Sequence, residues 1–421
     1  MIETTTDLFK DDRKLTYLNS EGADKPLISP VPDTVLNNAR SYRLGRFREQ
    51  MAKADVAALL LYDPINIRYA FDSSNMQVWT AHNPIRYAMI LANGPAILWE
   101  FKGCEHLNKG LPGIDEVRTA ISWLFMARGD KADLGLAAWS REIVDEVKTH
   151  GGGNTRIAID KLDGIAVHAL ESQGLTYVEG TELTETARSI KSADEIELMR
   201  WTIRVCEAGM ARIYENSVPG ATERELWAHL HFENARSGGD WLETKLLTTG
   251  PNTNPWYSEC SDRVVQVGEM ISFDTDMIGP YGYCADLSRS WTCGYTPMND
   301  TQKRIYSTAR SQIDHNLALL QPGMTYAEFN AKSWRIPAHH VDYRYSLALH
   351  GVGMADEWPV VPLHVDFNEQ EAMTGTFDPG MVICVESLIA EQGSESVKLE
   401  TQVLITETGV ERLDSFPWEE V

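Results

Sequence analysis

Apolar positions in the first half of the chain gather into short, strand-sized runs separated by stretches with helical spacing. A helical pattern over 37–53 is followed by a strand at 56–62. Residues 87–100 alternate on either side of Asn93-Gly94, a two-residue turn signal, and predict a hairpin. A strand over 156–160, a helix over 166–173 and a strand over 176–179 come next. Strands alternating with helices predict an α/β domain over residues 1–183. A polar arm punctuated by Gly22, Pro26, Pro30 and Pro32 leads into it. A second domain is expected over residues 184–421. Ser192-Ala193-Asp194-Glu195 is a capping box, and Ile196, Met199, Ile203, Cys206 and Met210 repeat behind it at helical spacing. That helix should stop at Val218-Pro219-Gly220.

The second half repeats itself. Pro219-Gly220-Ala221-Thr222-Glu223-Arg224-Glu225-Leu226 is echoed by Pro322-Gly323-Met324-Thr325-Tyr326-Ala327-Glu328-Phe329. Each copy follows a long amphipathic helix, the second over 301–320, and precedes strand-rich sequence. Two related α+β halves enclosing a site between them are the expected arrangement.

Charge narrows the function classes. With 38 basic and 61 acidic residues the formal net charge is −23, which argues against a nucleic-acid partner. The same balance serves solubility, or favours a cationic ligand or a salty habitat. No apolar run approaches the roughly 18 residues of a membrane helix. The acidic, polar N-terminus does not read as a secretory signal. Six scattered cysteines without Cys-x-x-Cys spacing suit a reducing cytoplasm and read mostly as small buried residues.

Candidate chemistry sits on apolar strands. In Ile271-Ser272-Phe273-Asp274-Thr275-Asp276 a strand period of two puts both aspartates on one face. A turn at Gly279-Pro280-Tyr281-Gly282 should bring Asp286 onto the neighbouring strand. Like charges about 4 Å apart repel by roughly 4 kcal/mol at an effective dielectric of 20. The three carboxylates therefore form either a solvated strand edge or a site for protons or a multivalent cation. His350 precedes two glycines in His350-Gly351-Val352-Gly353, where backbone can approach a ligand. Glu386 ends an apolar strand and Glu400 lies within another, costly places for a carboxylate without a partner.

The order Asp, Asp, His, Glu, Glu resembles the pita-bread superfamily of creatinase, prolidase, aminopeptidase P and methionine aminopeptidase. The resemblance implies an α+β fold: a pita-bread metalloenzyme domain preceded by a creatinase/prolidase-like α/β domain. It also implies two divalent metals, the ligands falling on Asp274 or Asp276, then Asp286, His350, Glu386 and Glu400. With both aspartates counted, five oxygen ligands and one imidazole suit iron, manganese or zinc. Two departures from the peptidases stand out. Trp256 occupies the place of a peptidase histidine after Gly250, and Asp356 and Glu357 stand where a second histidine would follow His350.

Four motifs are similar to those of DddP-type dimethylsulfoniopropionate (DMSP) lyases. They are Tyr62-Asp63-Pro64-Ile65-Asn66-Ile67-Arg68-Tyr69, Asn75-Met76-Gln77-Val78-Trp79, Ala81-His82-Asn83-Pro84, and the run from His350 to Pro359. That resemblance implies a homodimer with iron as the expected metal and Asp356 as general base. It also implies a small zwitterionic sulfonium substrate, no nucleic acid and no membrane partner, with Tyr345 beside the substrate. A sulfonium favours aromatic faces, so Trp79, Trp256, Trp358 and Tyr345 are candidate pocket residues. His82 reads as structural. The alternative reading is a prolidase-, aminopeptidase P- or creatinase-like metallohydrolase, which the two replaced histidines weaken. A non-catalytic binding protein of this fold is a third reading, weakened because every ligand type is present.

Overall fold

The computed structural model of the chain describes residues 25–368, 370 and 373–421. The sequence-predicted arm lies outside these residues up to position 24, and residues 25–31 form neither helix nor strand. The chain divides into one compact unit over Pro32–Arg188 and a second over Ser189–Val421, with which residues 25–31 group.

Six strands build the sheet of the N-terminal unit: β1 (Ala58–Leu61), β2 (Tyr87–Leu91), β3 (Ala96–Glu100), β4 (Glu116–Thr119), β5 (Arg156–Ile159) and β6 (Thr176–Glu179). Their order is β4-β3-β2-β1-β5-β6. The β2–β3 pair is the hairpin expected around Asn93-Gly94. The motif residues of this unit hold it together. Asp160 accepts hydrogen bonds from Tyr62 N (2.7 Å), Asp63 N (3.1 Å) and Asn66 Nδ2 (2.9 Å). Asp63 in turn caps the helix Pro64–Phe71 by accepting from Ile65 N. Buried Glu100 gathers Arg86 Nε (2.8 Å), Asn75 Nδ2 (3.0 Å) and Asn108 Nδ2 (2.8 Å), so its charge is paired and its oxygens are satisfied. Trp79 meets Phe101 edge to face, and His82 is exposed at the end of its helix.

In the second unit the helices Ala193–Glu215, Glu223–Arg236 and Tyr326–Lys332 each open on a complete capping box, at Ser192/Glu195, Thr222/Glu225 and Thr325/Glu328. The echo extends past the helices. Thr222 makes an isolated antiparallel bridge to Val264, and Thr325 makes one to Thr376. The first half continues as β7 (Trp241–Leu242), β8 (Leu247–Thr249), β9 (Met270–Asp274), β10 (Met277–Ile278), β11 (Cys284–Ala285) and β12 (Ser288–Thr292), forming the sheets β11-β10-β7 and β12-β9-β8. The second half supplies β13 (Leu347–Val352), β14 (Asp356–Pro362), β15 (Val382–Ala390), β16 (Ser396–Ile405) and β17 (Val410–Arg412), in the order β14-β13-β15-β16-β17.

Strand periodicity divides β15 and β16 between core and site. Ile383, Val385, Val397, Leu399 and Val403 join Ile305, Tyr306, Ala309 and Ile313 of the helix Asp300–Leu319 in one buried apolar cluster. The alternate positions, Glu386 on β15 and Lys398 and Glu400 on β16, face the other way, with Glu386 directly opposite Glu400 in register. A seam of small hydroxyl residues joins β16 to β9 and β12. Ser272 Oγ donates to the Ser396 carbonyl (2.8 Å), and Ser290 Oγ accepts from Lys398 N (3.0 Å). Small side chains let the two sheets approach closely, and that approach brings acids from both halves to one place.

Candidate metal centre and active site

Three strand systems converge here. Register pairs Ser288 with Asp274 and Ala285 with Met277, so both strands of this antiparallel ladder are interrupted at the level of Thr275-Asp276 and Asp286-Leu287. This corrects the strand-period reading of Asp276. The strand ends at Asp274, and Asp276 has a left-handed backbone (φ 34°) that turns its carboxylate inward. Thr275 locks the break: its hydroxyl donates to the Ala285 carbonyl (2.9 Å) and accepts from Leu287 N (2.9 Å). Glu386, expected at a strand end, lies instead in the middle of the nine-residue β15.

Five of the six predicted ligands fall into two overlapping groups, and Glu386 lies beside them. Ligand atoms of Asp274, Asp276 and Asp286 all lie within 4.8 Å of one another, as do those of Asp286, His350, Cys384 and Glu400. His350 Nε2 is 3.4 Å from Asp286 Oδ2, 3.3 Å from Glu400 Oε1 and 3.8 Å from Glu386 Oε1. Its Nδ1 is 3.0 Å from the Gly351 carbonyl. With the proton on Nδ1 donated there, Nε2 turns a lone pair towards the acids. Thr244 Oγ1 donates to Asp276, and Ser288 Oγ lies 2.7 Å from Asp274 Oδ1 and 2.9 Å from Glu400 Oε2.

Burial pushes the Asp274, Asp276 and Asp286 carboxyls above the usual range, with neighbouring carboxylates adding to the effect. Glu386 is pushed up to about 8, burial outweighing Lys398. Glu400 is held low: burial opposes ionisation, but Lys398 and His350 overcome it. Burial also opposes the charge on His350, yet the Asp286 and Glu400 carboxylates close to its ring raise its proton affinity. So dense a set of acids needs positive charge among them. Asp286 Oδ1, Glu386 Oε1 and Glu400 Oε1 are buried and have no hydrogen-bond partner among the described residues. Three orphaned carboxylate oxygens beside an imidazole lone pair fit divalent cations. Cys384 completes the second group, and burial pushes its thiol well above the ordinary range.

Asp356 begins β14 immediately outside this cluster. Its Oδ1 is 3.9 Å from His350 Nδ1, and its side chain is 56% exposed. Crowding by the surrounding protein raises its carboxyl above the ordinary range, with His350 opposing. Glu357 is buried, bonded to Lys191 Nζ (3.1 Å) and accepting from Met354 N (3.1 Å). Tyr345 is half-buried, and one face of its ring lies 5.4 Å from Lys398 Nζ. The aromatic that meets it is Tyr257, ring centroids 5.7 Å apart. Trp256 is the preceding residue and is half-buried. Trp358 packs against the apolar core and meets Tyr326 edge to face. Trp79 belongs to the N-terminal unit. The sequence reading missed Lys398, Ser288, Thr244 and Tyr257. Only Lys398 had a local signal: it shares a strand face with Glu400 two residues on.

The sequence model of metallopeptidase family M24 matches residues 197–407. The chain is 41% identical over 399 residues to dimethylsulfoniopropionate lyase DddP of Roseovarius nubinhibens, covering 92% of this chain and 88% of that one. It is 39% identical over 403 residues to the DddP lyase of Roseobacter denitrificans, with the same coverages. Among solved structures it resembles the prolidase of Pyrococcus horikoshii (TM-score 0.72, 20% identity, 90% of this chain and 99% of that). The Xaa-Pro dipeptidase of Bacillus anthracis is similar in fold (TM-score 0.71, 19% identity, 91% and 99%).

Proposed function

We infer that the chain, which belongs to metallopeptidase family M24 and within it to the DddP-type lyases, is a carbon–sulfur lyase that cleaves DMSP to dimethyl sulfide and acrylate. The observation that carries this is 41% identity to a DMSP lyase over 92% of the chain. The likeness to prolidases, at 20% identity or less in the structures compared, is one of fold.

We assign the chemistry to the domain predicted over 184–421. Asp274, Asp276, Asp286, His350, Glu386 and Glu400 would hold two divalent ions, iron first, with manganese or zinc as alternatives. Such ions would supply Lewis acidity towards the substrate carboxylate. Asp356 is the general base. Its Oδ takes a proton from the α carbon, the C–H electron pair becomes the new double bond, and the C–S pair leaves with dimethyl sulfide. Its place beside the ligand cluster suits this step, and its exposure lets the proton pass on to water. The leaving group needs no proton, so replacing the peptidase histidine with an acid costs this reaction nothing while handicapping amine expulsion. Tyr345 lines the substrate site with Trp256 and Trp358 as further candidates, and Tyr257 joins them on its contact with Tyr345.

The reading extends to a homodimer in the cytoplasm. The six free cysteine thiols support the cytoplasmic part of this reading, and the resemblance to the DddP lyases the homodimer. The test is headspace detection of dimethyl sulfide from purified, metal-loaded protein given DMSP, beside proline release from an X-Pro dipeptide. Dimethyl sulfide without proline is expected; proline without dimethyl sulfide would overturn the reading.

A further inference from the structure

Lys398 lies fully buried among the acids, on a strand whose alternate residues are core. Its Nζ is 3.0 Å from Asp274 Oδ2, 3.0 Å from Glu386 Oε2, 2.8 Å from Glu400 Oε2 and 3.0 Å from Ser288 Oγ. Three N–H donors are thus spread over four acceptors, three of them carboxylate oxygens of metal-ligand residues. The division of oxygens is orderly. Glu386 and Glu400 each turn Oε2 to the ammonium and leave Oε1, on the side of His350, without a hydrogen-bond partner among the described residues. One face of the Tyr345 ring closes over the ammonium.

We propose that Lys398 is a permanent internal counter-ion of the centre, holding Asp274, Glu386 and Glu400 in place before metal binds and matching the site's charge to two divalent ions. The proposal rests on the metal reading above. With metal bound, five ionised carboxylates and one ammonium would leave four negative charges, which two dications would cancel with a neutral imidazole. Lys398 matters most when metal is absent, because it is then the principal cation among buried, mutually repelling acids. With metal bound, its loss leaves a smaller imbalance.

The test compares thermal midpoints of the full chain, chelator-stripped and loaded with manganese(II), in the parent and in Lys398→Met. The parent should melt higher when loaded; if manganese leaves its midpoint unmoved, the metal reading itself fails. The variant should lose more in the stripped form than in the loaded form, widening the gap between the two midpoints. Equal losses in both forms would make Lys398 a packing residue and overturn the proposal, as would a narrowed gap or no change. Lys398→Gln, which keeps two N–H donors without the charge, carries the same comparison should the methionine variant fail to fold. A gap widened only in the methionine variant would assign the effect to hydrogen bonding rather than charge and would also overturn it.

Discussion

Asp356 and Glu357 are neighbours in sequence and opposites in environment. The first is open to water beside His350; the second is buried against Lys191. Asp356→Asn keeps the shape and removes the basicity, so turnover should fall on the order of 10²–10⁴-fold. Metal content, read by elemental analysis, should stay at the parent's value. Undiminished dimethyl sulfide release would remove Asp356 from the base role. Glu357→Gln leaves a buried ammonium without its counter-charge. Its cost should appear as stability, about 3–5 kcal/mol in urea unfolding, with far less change in turnover per folded molecule. Asp276 reaches the cluster from a left-handed backbone conformation just past the end of β9. Asp276→Ala should lose metal on dialysis that the parent keeps; full retention would place Asp276 outside the ligand set.

At the scale of elements, the two echoed helix starts make matched caps. Thr222 and Thr325 each accept from the backbone N–H three residues on and receive the glutamate in return. Thr222→Ala and Thr325→Ala should each cost about 1 kcal/mol in denaturant midpoints; a negligible loss at either would show that cap to be idle. The turn before β14 is tighter. A Cβ on Gly353 would lie 2.5 Å from Glu357 Oε2, so Gly353→Ala should disturb the Lys191 pair and misplace Asp356, lowering turnover more than bound metal. These elements also show what local pattern can reveal. Glu386 and Glu400 were legible because an acid inside a strand of alternating Val, Leu and Ile has few other reasons to be there. The capping boxes were legible because both partners lie within four residues. Asp276 was placed on the right face by a period that does not apply, since the strand stops two residues earlier. Tyr257 carried no local signal at all. Its placement comes from a contact with Tyr345, far along the chain, whereas sequence position alone points to its neighbour Trp256.

For the molecule as a whole, metal and fold should be linked. A cation that binds only the folded chain stabilises it by about 2.7 kcal/mol per site at a hundred times its dissociation constant. Chelation should therefore lower the melting temperature, and the drop should vanish in a His350→Ala, Glu400→Ala double variant. The N-terminal unit's motifs, by contrast, are spent on Asp160 and Glu100, so substitutions there should affect stability before chemistry. The central claim is that a chain of peptidase family M24 removes an α proton and expels a sulfide, and DMSP deuterated at both α positions tests it most directly. Purified, metal-loaded protein should release dimethyl sulfide more slowly from this substrate than from the protiated one. The acrylate formed should retain a single α deuteron, read by NMR. A product that keeps both deuterons, or one carrying a hydroxyl in place of the sulfide, would contradict the account.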